Sequence, residues 1–198
     1  MASRRPTLRR ALTLGALLVA TCPVASAPAD AADDRRALVM LRALAYDTQL
    51  DDRVGDEVRF VIVYSEGPEG AAEARRWTTA FTNVRKIKVA GRPVVVTAYK
   101  FETEAALQGR LRELHAAALV ACEGLARAIL VPALAAITRA HHVLSFSTRE
   151  SDVIHGLAVG IVHGATRDEI VVNVGAAAAE GVKFDAGLLQ LARCVESR

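Results

Sequence analysis

Aromatic side chains are scarce in this 198-residue chain, making up 5% of it against a hydrophobic share of 52%. A core with so few rings has to be built from Ala, Val and Leu. Catalytic signatures are missing too. The sequence holds no G-x-S-x-G elbow, H-E-x-x-H, C-x-x-C or Walker loop, so the chemistries those motifs carry have no foothold. Gly156, Gly160 and Gly164 are spaced by four, which does not match a dinucleotide fingerprint and reads as strand and turn glycine.

An excess of one charge is lacking as well. The formal net charge is +3, with a sequence pI near 9.0. Four of the 25 Lys plus Arg and one of the 22 Asp plus Glu fall within residues 1–31, leaving 21 of each sign beyond them. Residues 32–198 are therefore neutral and offer no electrostatic footprint for nucleic acid or an anionic membrane. No apolar run beyond the amino terminus is long and charge-free enough to span a bilayer.

What the amino terminus does have is a three-part pattern. Arg4, Arg5, Arg9 and Arg10 precede an apolar run from Ala11 to Ala20 in which only Thr13 is polar. That run is shorter than the roughly 20 residues of a spanning helix, and small residues follow it. Such a pattern is expected of a cleavable secretory signal. Ala29-Asp30-Ala31 is the better cut, because cleavage after Ala25-Ser26-Ala27 leaves Pro28 first. The expectation is a signal peptide over 1–31 and a single domain over 32–198. General secretion is favoured over the twin-arginine route, whose motif Arg4-Arg5 matches one position off.

About 165 residues suffice for one proper core. Helical spacing of Leu38, Leu41 and Ala45 marks Arg35–Asp47. Val58–Tyr64 is nearly all apolar and β-branched, which suits a strand buried on both faces of a parallel sheet. The alternation continues with helix Ala71–Asn83, strand Val94–Tyr99, helix Glu102–His115, strand Ala117–Cys122, helix Arg127–Arg139 and strand Val143–Ser147. Pro132 sits awkwardly in the third of these helices, which starts late or kinks there. Leu157–His163 and Glu169–Val174 flank a short loop and suit an antiparallel hairpin; a helix over Asp185–Cys194 closes the chain. The fold expected is α/β, a three-layer, mostly parallel sheet with helices on both faces and a C-terminal antiparallel hairpin plus helix.

Candidate sites are few. His141 and His142, adjacent at a strand entrance, point to opposite faces and make poor partners for one metal. Asp152, His155 and His163 could assemble a metal site, but their spacing does not demand one, and ordinary turn histidines fit as well. With Cys22 lost in the signal, Cys122 and Cys194 remain as a candidate disulfide in an oxidising compartment, or as two free thiols. The loops after the first and third strands, Ser65-Glu66-Gly67 and Glu123-Gly124, lie at carboxyl ends of parallel strands. Open α/β sheets bind ligands there, and solvated turns are the alternative. No catalytic residue and no cofactor-binding residue stands out.

The run Val172-Asn173-Val174-Gly175-Ala176-Ala177-Ala178-Ala179-Glu180-Gly181-Val182-Lys183-Phe184, followed by Leu188-Leu189-Gln190-Leu191-Ala192, resembles the YfiR family of periplasmic proteins. In that family an apolar-Asn-apolar step, an Ala-rich turn, a Gly and a Leu-Leu-x-Leu-Ala helix follow one another at this spacing. Gly156-Leu157-Ala158-Val159-Gly160 resembles the strand before them. Two features depart from the family: Tyr46-Asp47-Thr48 stands where an acidic-Trp-Pro-like end is usual, and Cys122 lies at the far end of its strand rather than opening it. The family's disulfide pattern therefore does not carry over. The resemblance implies a non-enzymatic regulator that contacts the periplasmic part of an inner-membrane diguanylate cyclase or sensor kinase. It also implies an outer-membrane lipoprotein or TonB-dependent receptor as a further partner. A neutral, apolar surface is expected to form homodimers or hetero-complexes. A periplasmic small-ligand receptor is the alternative function.

Overall fold

Residues 31–127, 129–164 and 167–196 are described by a computed structural model; of the expected signal peptide only Ala31 falls among them. The elements in chain order are α1 (Ala31–Ala45), α2 (Leu50–Arg53), β1 (Val58–Tyr64), α3 (Pro68–Asn83), β2 (Val94–Lys100), α4 (Glu104–Glu113) and β3 (Ala118–Ala121). A 3-10 turn over Glu123–Arg127 leads to α5 (Val131–Ala140), β4 (Leu144–Ser147), α6 (Glu150–Ile154), β5 (Val159–His163) and β6 (Asp168–Asn173). The chain continues through α7 (Val174–Ala179), α8 (Ala186–Leu191) and β7 (Arg193–Val195).

All seven strands form one sheet in the order β2-β1-β3-β4-β5-β6-β7. Every neighbouring pair is parallel except β5 and β6, which run antiparallel with Ile161 opposite Ile170. The expected α/β architecture and its C-terminal hairpin are what forms. Right-handed crossovers sort the helices. The step from β1 to β2 goes one way across the sheet, whereas β2 to β3 and β3 to β4 go the other. Accordingly α1 and α3 pack on the face carrying Phe60, Ile62, Val120 and Phe146. Helices α4 and α5 cover the opposite face, with Val61, Val63, Leu119 and Ala121. The few aromatics are concentrated: Phe60 lies 5.1 Å from Phe81 and 6.0 Å from Phe146, ring centre to ring centre, and Trp77 lies 6.2 Å from Phe81.

Four helices end in the same way. After α4, His115 N–H donates to Arg112 O and Ala116 N–H to Leu111 O; after α5, His142 N–H donates to Arg139 O and Val143 N–H to Thr138 O. Gly156 and Leu157 after α6, and Gly181 and Val182 after α7, repeat the pair of bonds. These are Schellman motifs, in which a left-handed residue satisfies the last helical carbonyls. Glycine takes that position twice, while His115 and His142 adopt φ of 46° and 52°. His141 and His142 thus close a helix rather than enter a strand.

Several boundaries differ from the sequence expectation. The short helices α2 and α6 are absent from the sequence expectation, and strand β5 begins at Val159 rather than Leu157 because Gly156 and Leu157 serve the end of α6. Pro132 lies in the first turn of α5, where its missing N–H costs nothing, so that helix starts at Val131 rather than Arg127. The last helix stops at Leu191, and Arg193–Val195 pairs with β6 as an edge strand. Cys122 is buried behind β3, whereas Cys194 is exposed on β7, and both are free. Three strands separate β3 from β7. Four steps of about 4.8 Å put the cysteines about 19 Å apart, too far for the roughly 4.4–6.8 Å Cα spacing of a disulfide. The candidate bridge does not form.

Candidate functional site

Strand β1 lies between β2 and β3, so the chain leaves it in one direction and returns on the other side. That reversal opens a crevice beyond the carboxyl ends of the strands, the usual ligand position of open α/β sheets. A cleft of about 960 Å³ occupies the place, lined by residues of the β1–α3 loop, the turn after β3 and Arg149 beyond β4. All five residues singled out from the sequence, Ser65, Glu66, Gly67, Glu123 and Gly124, line it. Sequence reasoning missed Glu73, Arg76 and Arg149. Helical periodicity from Gly70 would have put Glu73 on the same face, but the entry of Arg149 depends on how far β4 extends.

The cleft is built by close approach. Helix α3 begins against the preceding strand end so tightly that a Cβ on Gly70 would lie 2.2 Å from Ser65 O, a spacing no side chain tolerates. Glu73, in the second turn of α3, accepts the Glu123 backbone N–H at 2.9 Å and so ties that helix to the turn after β3. Thr148 Oγ1 donates to Glu123 Oε1 at 3.1 Å, extending the tie to the loop after β4. There, Ser147 Oγ accepts the Arg149 N–H at 3.1 Å and donates to Asp152 Oδ2 at 2.7 Å. One continuous set of hydrogen bonds thus joins the ends of β3 and β4 to α3.

Burial raises the Glu73 carboxyl above its ordinary value, and the Glu123 N–H only partly opposes that. The Cys122 thiol beneath is raised further, by burial first and then by the charge of Glu73. A thiol held in its protonated form is a poor nucleophile, so Cys122 serves the core. The rim carries Glu66, Glu69 and Glu123 with Arg76 and Arg149, charges of both signs suited to orienting a polar partner. Glu66 also lies 3.5 Å from Lys100.

The histidine and aspartate candidates are scattered. Asp152 is committed to Ser147, His155 Nδ1 lies 2.6 Å from Ser151 O, and His163 Nδ1 lies 3.4 Å from Asp168. Among the described residues no group of three or more His, Cys, Asp or Glu is arranged to hold a metal ion.

A family model described as YfiR/HmsC-like matches residues 35–193. The chain belongs to the YfiR/HmsC-like family. No curated protein matches the chain in sequence. Among solved structures, the YfiR/HmsC-like chain is similar to a conserved domain protein from Vibrio cholerae O1 biovar El Tor. The two share 12% identity with a TM-score of 0.57, over 82% of this chain and 59% of that one. It is also similar to the ligand-free, open form of a substrate-binding protein with adhesive properties from Clostridium difficile (10% identity, TM-score 0.51, 76% and 58% coverage). A third likeness is to an ABC domain in complex with L-Trp from Streptococcus pneumonia (11% identity, TM-score 0.53, 77% and 60% coverage). At these identities the likeness is one of fold, and this chain spans about three fifths of the length of each.

Proposed function

We propose that this protein is exported, loses a signal peptide over 1–31, and regulates a membrane-bound signalling protein by contact from the periplasm. The target is the periplasmic portion of a diguanylate cyclase or a sensor kinase, with an outer-membrane lipoprotein or a TonB-dependent receptor upstream. The observation that carries this reading is the extent of the family match, which runs over 35–193 and includes every loop of the cleft. Among the described residues no helix is long and apolar enough to cross a membrane. Tagged protein recovered from the periplasm is the test. It should start near Ala32 and pull down an inner-membrane cyclase or kinase, and retention in the cytosol with Met1 in place overturns the reading.

A second reading, a periplasmic small-ligand receptor, is favoured by the cleft itself, whose volume and position suit a small polar molecule. The fold likeness to a substrate-binding protein and to a domain in complex with L-Trp points the same way. A ligand that binds only the folded state raises the melting temperature. A screen of amino acids and other small polar metabolites on the parent and on Arg76→Ala and Arg149→Ala separates the readings: a receptor shows a shift that both variants lose.

A further inference from the structure

The two edges of the sheet are treated very differently. At one edge β7 has three residues, and Arg193 reaches Glu150 at 2.9 Å and Glu169 at 4.0 Å. A short, charged edge of this kind resists pairing with another chain. At the other edge β2 runs for seven residues, Val94-Val95-Val96-Thr97-Ala98-Tyr99-Lys100, with no proline, no glycine and a charge only at its end. None of the seven is buried, although its neighbour β1 is buried along most of its length.

The outward row of backbone groups on β2 follows from its bonds to β1. Val58 N–H donates to Pro93 O, and Phe101 N–H donates to Tyr64 O. Odd-numbered residues from 93 to 101 therefore direct their backbone groups inward, and Val94, Val96, Ala98 and Lys100 direct theirs away from the sheet. Beyond Pro93 the edge is closed by the Val89–Arg92 bridge, so the open stretch coincides with β2.

We infer that β2 pairs antiparallel with β2 of a second copy about a two-fold axis at Thr97, joining two sheets into one. This register uses every outward-facing residue: Val94 exchanges bonds with Lys100 of the other copy, and Val96 with Ala98. On one face Thr97 meets its own copy and Val95 meets Tyr99. Thr–Thr and aromatic–β-branched pairs are among the stabilising cross-strand combinations, so the strand is complementary to itself. Neutrality of residues 32–198 removes net repulsion between two copies. The self-complementary register commits the edge to a second copy rather than to a strand of an unrelated protein.

Light scattering after size exclusion should give a dimer for the purified chain at micromolar concentration. At the axis Thr97 occupies a non-hydrogen-bonded position, where opposed Cα atoms lie about 4.5 Å apart, within disulfide reach. Thr97→Cys in a Cys22→Ser, Cys194→Ser background should therefore crosslink on mild oxidation, whereas Glu102→Cys should not. Val96→Pro removes only an outward N–H and leaves pairing with β1 intact. It should weaken dimerisation by about tenfold or more, and Ala98→Lys should do the same without altering the backbone. A monomeric parent overturns the proposal, as does a dimer that both edge variants leave intact and Thr97→Cys fails to crosslink. Recovery of another protein's strand on β2, with the chain alone monomeric, overturns it equally.

Discussion

Replacing Glu180 by Gln should abolish a loss of stability that the parent chain suffers as pH rises from about 4.5 to 7. Glu180 is completely buried, at 0% exposure. Its Oε1 accepts from Thr138 Oγ1 at 2.6 Å and Ser145 Oγ at 2.7 Å, and its Oε2 accepts the Ser145 N–H at 2.8 Å. Ser145 Oγ in turn accepts the Ala158 N–H at 2.8 Å. The carboxyl therefore connects α5, β4 and the segment entering β5 to the end of α7. Burial pushes it up to about 7 from an ordinary 4.5, and the donors from Thr138 and Ser145 only partly offset that.

The sign follows from proton counting. Below pH 4.5 the carboxyl is protonated in both folded and unfolded chains, and no stability is lost. Between 4.5 and 7 the unfolded chain releases the proton and the folded chain keeps it, so stability falls as pH rises. Above 7 the loss is complete. At about 1.4 kcal/mol for each pH unit, a rise from 4.5 to about 7 amounts to about 3 kcal/mol. Gln mimics the protonated acid: its carbonyl takes the Ser145 N–H, and its amide donates to the two hydroxyls, which rotate to accept. Urea unfolding of parent and Glu180→Gln from pH 4.5 to 8 is the assay, and the difference between them is the informative quantity. Glu73 is also raised by burial, but it is unchanged in the variant and cancels. The two proteins should match near pH 4.5 and diverge by about 3 kcal/mol at pH 8, with the variant the more stable. A difference that stays flat across this range refutes the reasoning.

Other consequences are simpler to check. His115→Gly relieves a left-handed β-carbon at the end of α4 and should stabilise by about 0.5–1 kcal/mol in denaturant titration, whereas an Ala there should not. Gly70→Ala drives a methyl into Ser65 O and should cost about 1–3 kcal/mol while lowering any ligand affinity of the cleft. Asp47→Ala strips the buried partner of Arg53 and the acceptor of the Gln49 and Lys183 N–H groups, a change expected to cost about 3–5 kcal/mol in thermal or urea unfolding. Unreduced folded protein beginning at Ala32, and so without Cys22, should titrate with one thiol reagent equivalent, at Cys194, with Cys122 reacting only after unfolding, because one is exposed and the other buried.

The alternation of strands and helices was legible because β1, β2 and β3 are short, mostly apolar runs and α3 to α5 keep helical spacing over ten residues or more. Elements that escaped lack a local signal of their own. Helix α6 has five residues and α2 has four, too few for a hydrophobic period to repeat. Helix α7 is Val-Gly followed by four alanines, which has no amphipathic pattern; what starts it is the Asn173 side chain accepting the Ala176 N–H at 3.0 Å. Strand β7 exists only because Val171 to Asn173 offer it an edge, a tertiary fact. The loops of the cleft could be anticipated from the carboxyl-end rule, but not the commitment of Glu73 to the Glu123 backbone, which links residues 50 positions apart.

This division has a consequence for how the domain can vary. At the amino ends of β3 and β4 the incoming helices are fixed by backbone motifs that require a left-handed residue at one position, so sequence there is constrained by conformation. At the carboxyl ends the cleft is fixed by side chains, through Glu73, Thr148, Ser147 and Asp152. Replacing those side chains alters the shape of the cleft without disturbing the sheet beneath. Recognition of a partner or ligand can therefore be retuned at the carboxyl end while the opposite end keeps the fold, and changes in specificity should map to the loops after β1, β3 and β4.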